Sequence, residues 1–307
     1  MSTGHTSDFY DNQIIENGQR YRHTGHSVEL FGDKTLSYLQ DRKLNDQPFF
    51  AFVPLNGPYG HTPAIKGKAQ NQFADLYSDC PMQSIPREGL NSEVIDRFGL
   101  RVTESGGQVR EQFKGPLVLP NDLESLRNYY SQISLVDHQV GRIVKQLAAL
   151  ELDDNTIVIY TADHGFSLGH NGIWGHGAAA FPASAHRPSY HIPLVVSGPG
   201  LRQGETCDQL VSQIDLFPTI LSMAGIEVPD DLPLAAFDHA DWLAGGEGYF
   251  ADAIYMEQEE TRAVRTKEWL YASRFQQAPS YDLEHALYDL SSDPLERTNL
   301  AGRQPSL

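Results

Sequence analysis

Asp163 and His164 stand side by side directly after Thr156-Ile157-Val158-Ile159-Tyr160-Thr161. That run of β-branched and aromatic residues has the composition of a strand buried on both faces. A carboxylate and an imidazole past the carboxyl end of such a strand occupy the place where open α/β sheets bind ligands. Both groups can hold a ligand or move a proton. Five glycines lie between 165 and 177, leaving backbone free to approach a ligand closely, and His170 and His176 share the loop. A bare Asp-His-Gly also suits a polar turn with a capping Asp and a surface His; the density of Gly and His favours a site. His61, in Gly57-Pro58-Tyr59-Gly60-His61-Thr62-Pro63, follows another apolar run and is a second candidate. His186-Arg187-Pro188 adds a concentration of cationic groups.

These residues need strands and helices to place them. Asn17-Gly18 marks a tight turn in a polar stretch, and residues 33–43 read as a short helix with Leu36 and Leu39 on one side. Pro48-Phe49-Phe50-Ala51-Phe52-Val53 reads as a second buried strand that delivers the His61 loop. Residues 64–120 are weakly patterned and read as a long excursion, of the kind that covers an active site or varies freely. Asn121 or Asp122 caps the clearest helix. Its Leu126, Tyr130, Ile133, Val136, Val140, Ile143, Leu147 and Leu150 recur at three- and four-residue spacing over about eight turns. It feeds the Asp163 strand directly. His138 on this helix and His170 in the loop read as structural.

Ile192-Pro193-Leu194-Val195-Val196 reads as a third buried strand, and residues 213–224 as a helix ended by Gly225. Beyond 228 the character changes. Short apolar strands at 253–256, 263–265, 269–271 and 286–290 predict a small antiparallel sheet, and residues 292–300 read as turn and tail. The organisation expected is an α/β catalytic domain, in part, over 1–228 and an α+β lobe over 229–307.

Composition narrows the partners. Lys and Arg number 23 against 40 Asp and Glu, a formal charge of −17, which argues against general affinity for nucleic acid or anionic membrane. An anionic substrate then needs local positive charge or a metal ion. Two cysteines, Cys80 and Cys207, make no disulfide framework or Cys-rich zinc site. No apolar run approaches the roughly 18–20 residues of a membrane span. Met1-Ser2-Thr3-Gly4-His5-Thr6-Ser7-Asp8 lacks the pattern of a signal peptide, so the sequence as written reads as cytoplasmic.

The motifs together resemble the sulfatases of the alkaline phosphatase superfamily. Asp163-His164-Gly165-Phe166-Ser167-Leu168-Gly169 with Gly172-Ile173-Trp174 resembles the family's metal-binding loop. Pro48-Phe49-Phe50 leading to His61-Thr62-Pro63 resembles its strand and PH-x-P loop. Asp215-Leu216-Phe217-Pro218-Thr219-Ile220-Leu221 resembles its later core, and Leu287-Tyr288-Asp289-Leu290 with Asp293-Pro294, Glu296 and Asn299-Leu300 its C-terminal lobe. The resemblance implies an alkaline phosphatase-like sandwich with a mostly parallel central sheet, and sulfuric ester hydrolysis at a divalent metal. Ca²⁺ is the expected ion, with Mg²⁺, Mn²⁺ and Zn²⁺ as alternatives. Asp163 and His164 are the implied metal ligands. His61 and His176 are implied in sulfate binding and leaving-group protonation, and Arg187 in substrate contact.

One family feature is not found. Sulfatases carry a formylglycine made in a C/S-x-P/A-S-R motif, and neither Cys80, Cys207 nor Ser84 sits in one. The family's early Asp pair and Gly-Lys-x-His segment do not occur either, and His176 stands where the family often has Lys. The expectation is an N-terminally incomplete reading frame. Its exposed sheet edges would then be covered by the missing portion or by an oligomer. The alternatives are a phosphodiesterase or phosphonate hydrolase of the same superfamily and a non-catalytic sulfatase remnant.

Overall fold

The structure, a computed structural model, describes residues 9–45, 47–59, 67–86, 122–176, 183–229, 235–275 and 285–302. It divides into two compact units. One comprises Met1–Thr156 and Phe166–Phe181, the other Ile157–Gly165 and Pro182–Leu307.

The first unit opens with a hairpin, β1 (Asn12–Glu16) against β2 (Gln19–His23). Asn17 and Gly18 both take positive φ, 50° and 79°, the two-residue turn whose twist suits a hairpin. Helix α1 spans Ser27–Lys43, beginning six residues before the expected start. The reason is His26, an unusual N-cap: its Nδ1 accepts from the Val28 N–H at 3.3 Å while its ring stacks on Phe9. Helix α2 spans Leu123–Ala149, with the Asp122 side chain accepting from the Ser125 N–H, as its capping sequence predicts. Its inward face differs in detail from the apolar spacing. Ile133 is 41% exposed, whereas Leu126, Leu135, Val136 and Leu147 are buried with Ser131, Gln132 and Gln139 among them. Hydrogen bonds let these polar groups share the interior; Gln132, for one, accepts from the Tyr59 N–H. Phe9, Val28, Leu135 and Val136 form one core cluster between α1 and α2.

The expected strand at 48–53 is not one. Residues 48–53 form no ladder with another described strand, and Phe50 and Phe52 are 73% and 79% exposed. An apolar run becomes a strand only where a neighbour takes its backbone groups, and none does among the described residues. Most of the 64–120 excursion lies outside the described residues; its described part holds one short 3₁₀ turn, Ala74–Tyr77.

In the second unit β3 (Val158–Thr161) pairs with β6 (Leu194–Ser197) in antiparallel register, Thr161 opposite Leu194. Neither strand is buried on both faces: Tyr160, Leu194 and Val195 are exposed. The antiparallel register sets the end of β3 beside the start of β6, which decides what surrounds Asp163. Helix α3 (Leu216–Met223) follows a capping box at Ser212 and Asp215. Gly225, at φ 69°, stops it as expected. Strands β7 (Ile254–Gln258), β8 (Thr261–Arg265), β9 (Trp269–Arg274) and β10 (Ala286–Asp289) form the predicted antiparallel sheet, in the order β10-β9-β8-β7. Met256, Ala263, Leu270, Ala272, Ala286, Tyr288 and Leu290 bury one face of it together with Ala185. Among the described residues no helix is long and apolar enough to cross a membrane.

Candidate active site

Asp163 and His164 leave β3 on the loop the sequence marks. The Asp163 carboxylate is 87% exposed, and one of its oxygens accepts from the His164 N–H at 3.0 Å. His164 Nδ1 lies 2.9 Å from the Gly165 carbonyl oxygen. A carbonyl only accepts, so Nδ1 carries the proton and Nε2 is the basic nitrogen. Nε2 lies 3.6 Å from the other Asp163 oxygen. An oxygen donor and a nitrogen donor are thus presented together, with the imidazole tautomer fixed by a backbone carbonyl, as is usual for metal-ligating histidines. The pair fits a divalent cation as two of its ligands. Among the described residues no group of three metal-ligating side chains converges.

The loop is fastened on two sides. Gln213 Nε2 donates to the Ala162 carbonyl at 3.0 Å, and the Gly165 N–H donates to the Ser189 carbonyl at 2.9 Å. Ser189 belongs to the helical turn Arg187–Tyr190 that precedes β6. A Cβ on Gly165 would stand 2.1 Å from the Pro188 oxygen, so only glycine lets the two backbones meet. The Asp163 loop and the Arg187 turn are therefore one piece.

Arg187 is exposed, and its Nε donates to His191 Nδ1 at 3.0 Å. Partial burial, then the nearby Arg187 and Arg265, push the His191 imidazole below its ordinary range. It stays neutral at pH 7 and accepts. Beneath the turn lies Glu296, only 2% exposed. Its carboxylate takes His186 Nδ1 at 2.9 Å, the Arg187 N–H at 3.0 Å and Arg265 Nη1 at 2.6 Å. Burial pushes this acid up, but hydrogen bonds from His186 and Arg265 outweigh it and hold the carboxyl below its usual range. Glu296, Arg265 and His191 are not among the sequence candidates; Glu296 sits in a stretch that reads as turn and tail.

His176 belongs to the first unit, half-buried at the end of a tight hairpin, β4 (Ser167–Leu168) against β5 (Trp174–Gly175). Its ring meets Tyr59 at 6.0 Å and Phe166 at 5.8 Å, and Phe166 meets Tyr129. Burial and then Tyr130 push the Tyr129 hydroxyl up to about 12, so it stays protonated at neutral pH. Met82, Ile85, Leu126, Leu168 and Trp174 form the core under the hairpin. The glycines serve turns here: Gly169, Gly172 and Gly175 all have positive φ. His61 lies outside the described residues.

The mixed α/β architecture that carries this loop is an alkaline phosphatase-like fold. Two solved structures share it. BT4656, in complex with its substrate D-glucosamine-2-N,6-O-disulfate, has a TM-score of 0.71 at 20% identity, over 96% of this chain and 69% of that one. The phosphonate monoester hydrolase of Agrobacterium radiobacter has a TM-score of 0.64 at 22% identity, over 90% and 56%. The sulfatase family model matches residues 2–226, and the C-terminal model of N-sulphoglucosamine sulphohydrolase matches residues 184–306. The chain belongs to the sulfatase family. Arylsulfatase K of Rattus norvegicus is 31% identical over 304 residues, covering 90% of this chain and 49% of that protein. The chain spans about half the length of the curated relatives it matches. Members of the family use a divalent metal and a formylglycine.

Proposed function

We propose that this chain contributes the metal-binding and anion-binding residues of a sulfuric ester hydrolase whose substrate is a small sulfated molecule. The observation that carries the reading is the Asp163–His164 pair, two donors set side by side with the tautomer that leaves Nε2 basic. A divalent cation held there would offset the charge of the sulfate ester. Ca²⁺ suits the carboxylate oxygen, and the imidazole keeps Mn²⁺ and Zn²⁺ in play.

The other residues divide the remaining work. Arg187 presents a planar fork that matches the oxygens of a sulfate group. His176 and His61 bind the sulfate and protonate the departing alcohol, the general-acid step that makes an alkoxide a leaving group. Positive side chains are scarce in a chain of net charge −17, so Arg187, on a turn hydrogen-bonded to the exposed carboxylate–imidazole loop, stands out. The C/S-x-P/A-S-R motif is not found in the 307 residues, so what they are proposed to do is bind, orient and protonate.

Sulfate release from 4-nitrophenyl sulfate by the product of the full reading frame, with Ca²⁺ present, tests the proposal. Release that stops on chelation and returns with Ca²⁺ supports it; no release from aryl, choline-type or sugar sulfates contradicts it. The likeness to the phosphonate monoester hydrolase supports a second reading. Preferential cleavage of phenyl phosphonate esters would favour that one.

A further inference from the structure

Glu296 combines features that rarely meet in one acidic residue. It is buried, it is charged, and its backbone is left-handed, at φ 57°, a region that favours glycine. A buried carboxylate persists only with its oxygens satisfied. Here one oxygen takes Arg265 Nη1, while the other takes both the His186 ring and the Arg187 N–H. The carboxylate thus grips the Arg187 backbone and leaves its guanidinium alone. That guanidinium has its Nε on His191 Nδ1, a neutral acceptor, and no acidic side chain among the described residues pairs with it. Among the described residues, Arg187 is held at its backbone and left unneutralised at its fork. The Gly165–Ser189 hydrogen bond ties its turn to the Asp163 loop.

We infer that Glu296 is the positioning residue of an anion contact made by Arg187: it fixes the turn, and Arg187 takes the sulfate oxygens. The inference rests on the reading of this site as one for sulfate esters. The β7–β10 sheet enters the same chain of support, because Ala185 and Tyr190, on either side of Arg187, pack into its core. Arg265, on β8, supplies the second cation that makes the burial of Glu296 tolerable.

A double-mutant cycle separates this role from mere structural support. Inorganic sulfate is titrated by calorimetry into the Ca²⁺-loaded full-length protein and its Arg187→Ala, Glu296→Gln and doubly substituted forms. Arg187→Ala is expected to weaken sulfate about tenfold, as loss of a charge-assisted hydrogen bond does. Glu296→Gln places an amide N–H against donors that need an acceptor; it is expected to weaken sulfate about fivefold. The double variant should match Arg187→Ala, because the second change acts only through the first. Glu296→Asp, which keeps the charge but withdraws it from the Arg187 N–H, replaces Glu296→Gln in the cycle if that variant does not fold. Losses that multiply, an affinity untouched by the Glu296 change, or a wild-type protein that binds no sulfate would each overturn the inference. A non-additive cycle in a protein that hydrolyses no sulfate ester would uphold it while the hydrolase reading fails.

Discussion

The Gly165 N–H donates to the Ser189 carbonyl at 2.9 Å, and this one bond joins the two loops that carry the candidate chemistry of the second unit. It follows from strand register. Because β3 and β6 run antiparallel with Thr161 opposite Leu194, the chain leaving β3 meets the chain entering β6. Asp163 and Arg187, 24 positions apart in sequence, come to share one scaffold. The contact is backbone on backbone, with no room for a side chain between.

Gly165→Ala tests that contact. Its Cβ would meet the Pro188 oxygen at 2.1 Å and the Ser189 carbonyl carbon at 2.9 Å, both main-chain atoms that cannot swing aside. Overpacking of this kind costs about 1–3 kcal/mol. Thermal unfolding should show a lowered midpoint, and cation affinity should fall with it as the Asp163 loop is displaced. A variant with wild-type stability and cation affinity would mean that the loops are not held flush.

His26 gives a pH dependence to the first unit. Burial lowers its pKa from 6.5 to about 4, and its Nδ1 must stay unprotonated to cap α1. The folded value lies below the unfolded one, so the stabilisation is complete above about pH 6.5 and is lost as pH falls toward 4. A displacement of this size is worth up to roughly 3 kcal/mol. Denaturant unfolding between pH 7 and pH 4 should show this loss, and His26→Asn, which keeps a cap without titrating there, should remove most of it. An unchanged pH slope in His26→Asn contradicts the assignment.

Glu296 predicts a second acid limit. Its folded pKa is depressed, so its contribution is present above the ordinary carboxyl range and lost as pH falls through the depressed value. Glu296→Gln should be less stable than wild type at pH 7, and the difference should shrink as the pH falls below the ordinary carboxyl range and the wild-type acid protonates. A gap that never narrows as the pH is lowered through acid would mean the carboxylate charge is not what stabilises the turn.

Trp174 supports the hairpin that ends at His176. It is 2% exposed and packs with Met82, Ile85, Leu126 and Leu168. Trp174→Ala should cost about 3–5 kcal/mol, the range for removing a buried aromatic ring. Equilibrium unfolding in urea checks this, and a cost under about 1 kcal/mol would show that the cluster is not a core.

What the sequence discloses here is local. Asn17-Gly18 names its own turn, Asp122 caps α2, Gly225 stops α3, and Asp163-His164 announces itself at the end of a strand. Each of these signals is carried by residues a few positions apart. Pairing is not local, and there the reading goes astray. Residues 48–53 are apolar enough for a strand, yet no described neighbour takes their backbone groups and Phe50 and Phe52 face solvent. The start of α1 depends on a histidine cap, which ordinary capping preferences do not favour. Glu296 is the strongest case. Its partners His186, Arg187 and Arg265 lie 31 to 110 positions away, so the motif around it marks a C-terminal lobe without disclosing what the carboxylate holds.

Asp163 and His164 are the proposed cation ligands, and calorimetric titration of Ca²⁺ into the metal-stripped protein and its Asp163→Asn variant tests this most directly. The predicted result is saturable binding to the wild-type protein, with affinity at least about tenfold weaker in Asp163→Asn, where a charged oxygen ligand becomes a neutral one. Equal affinity in the two proteins, or no cation bound by either, would contradict the account.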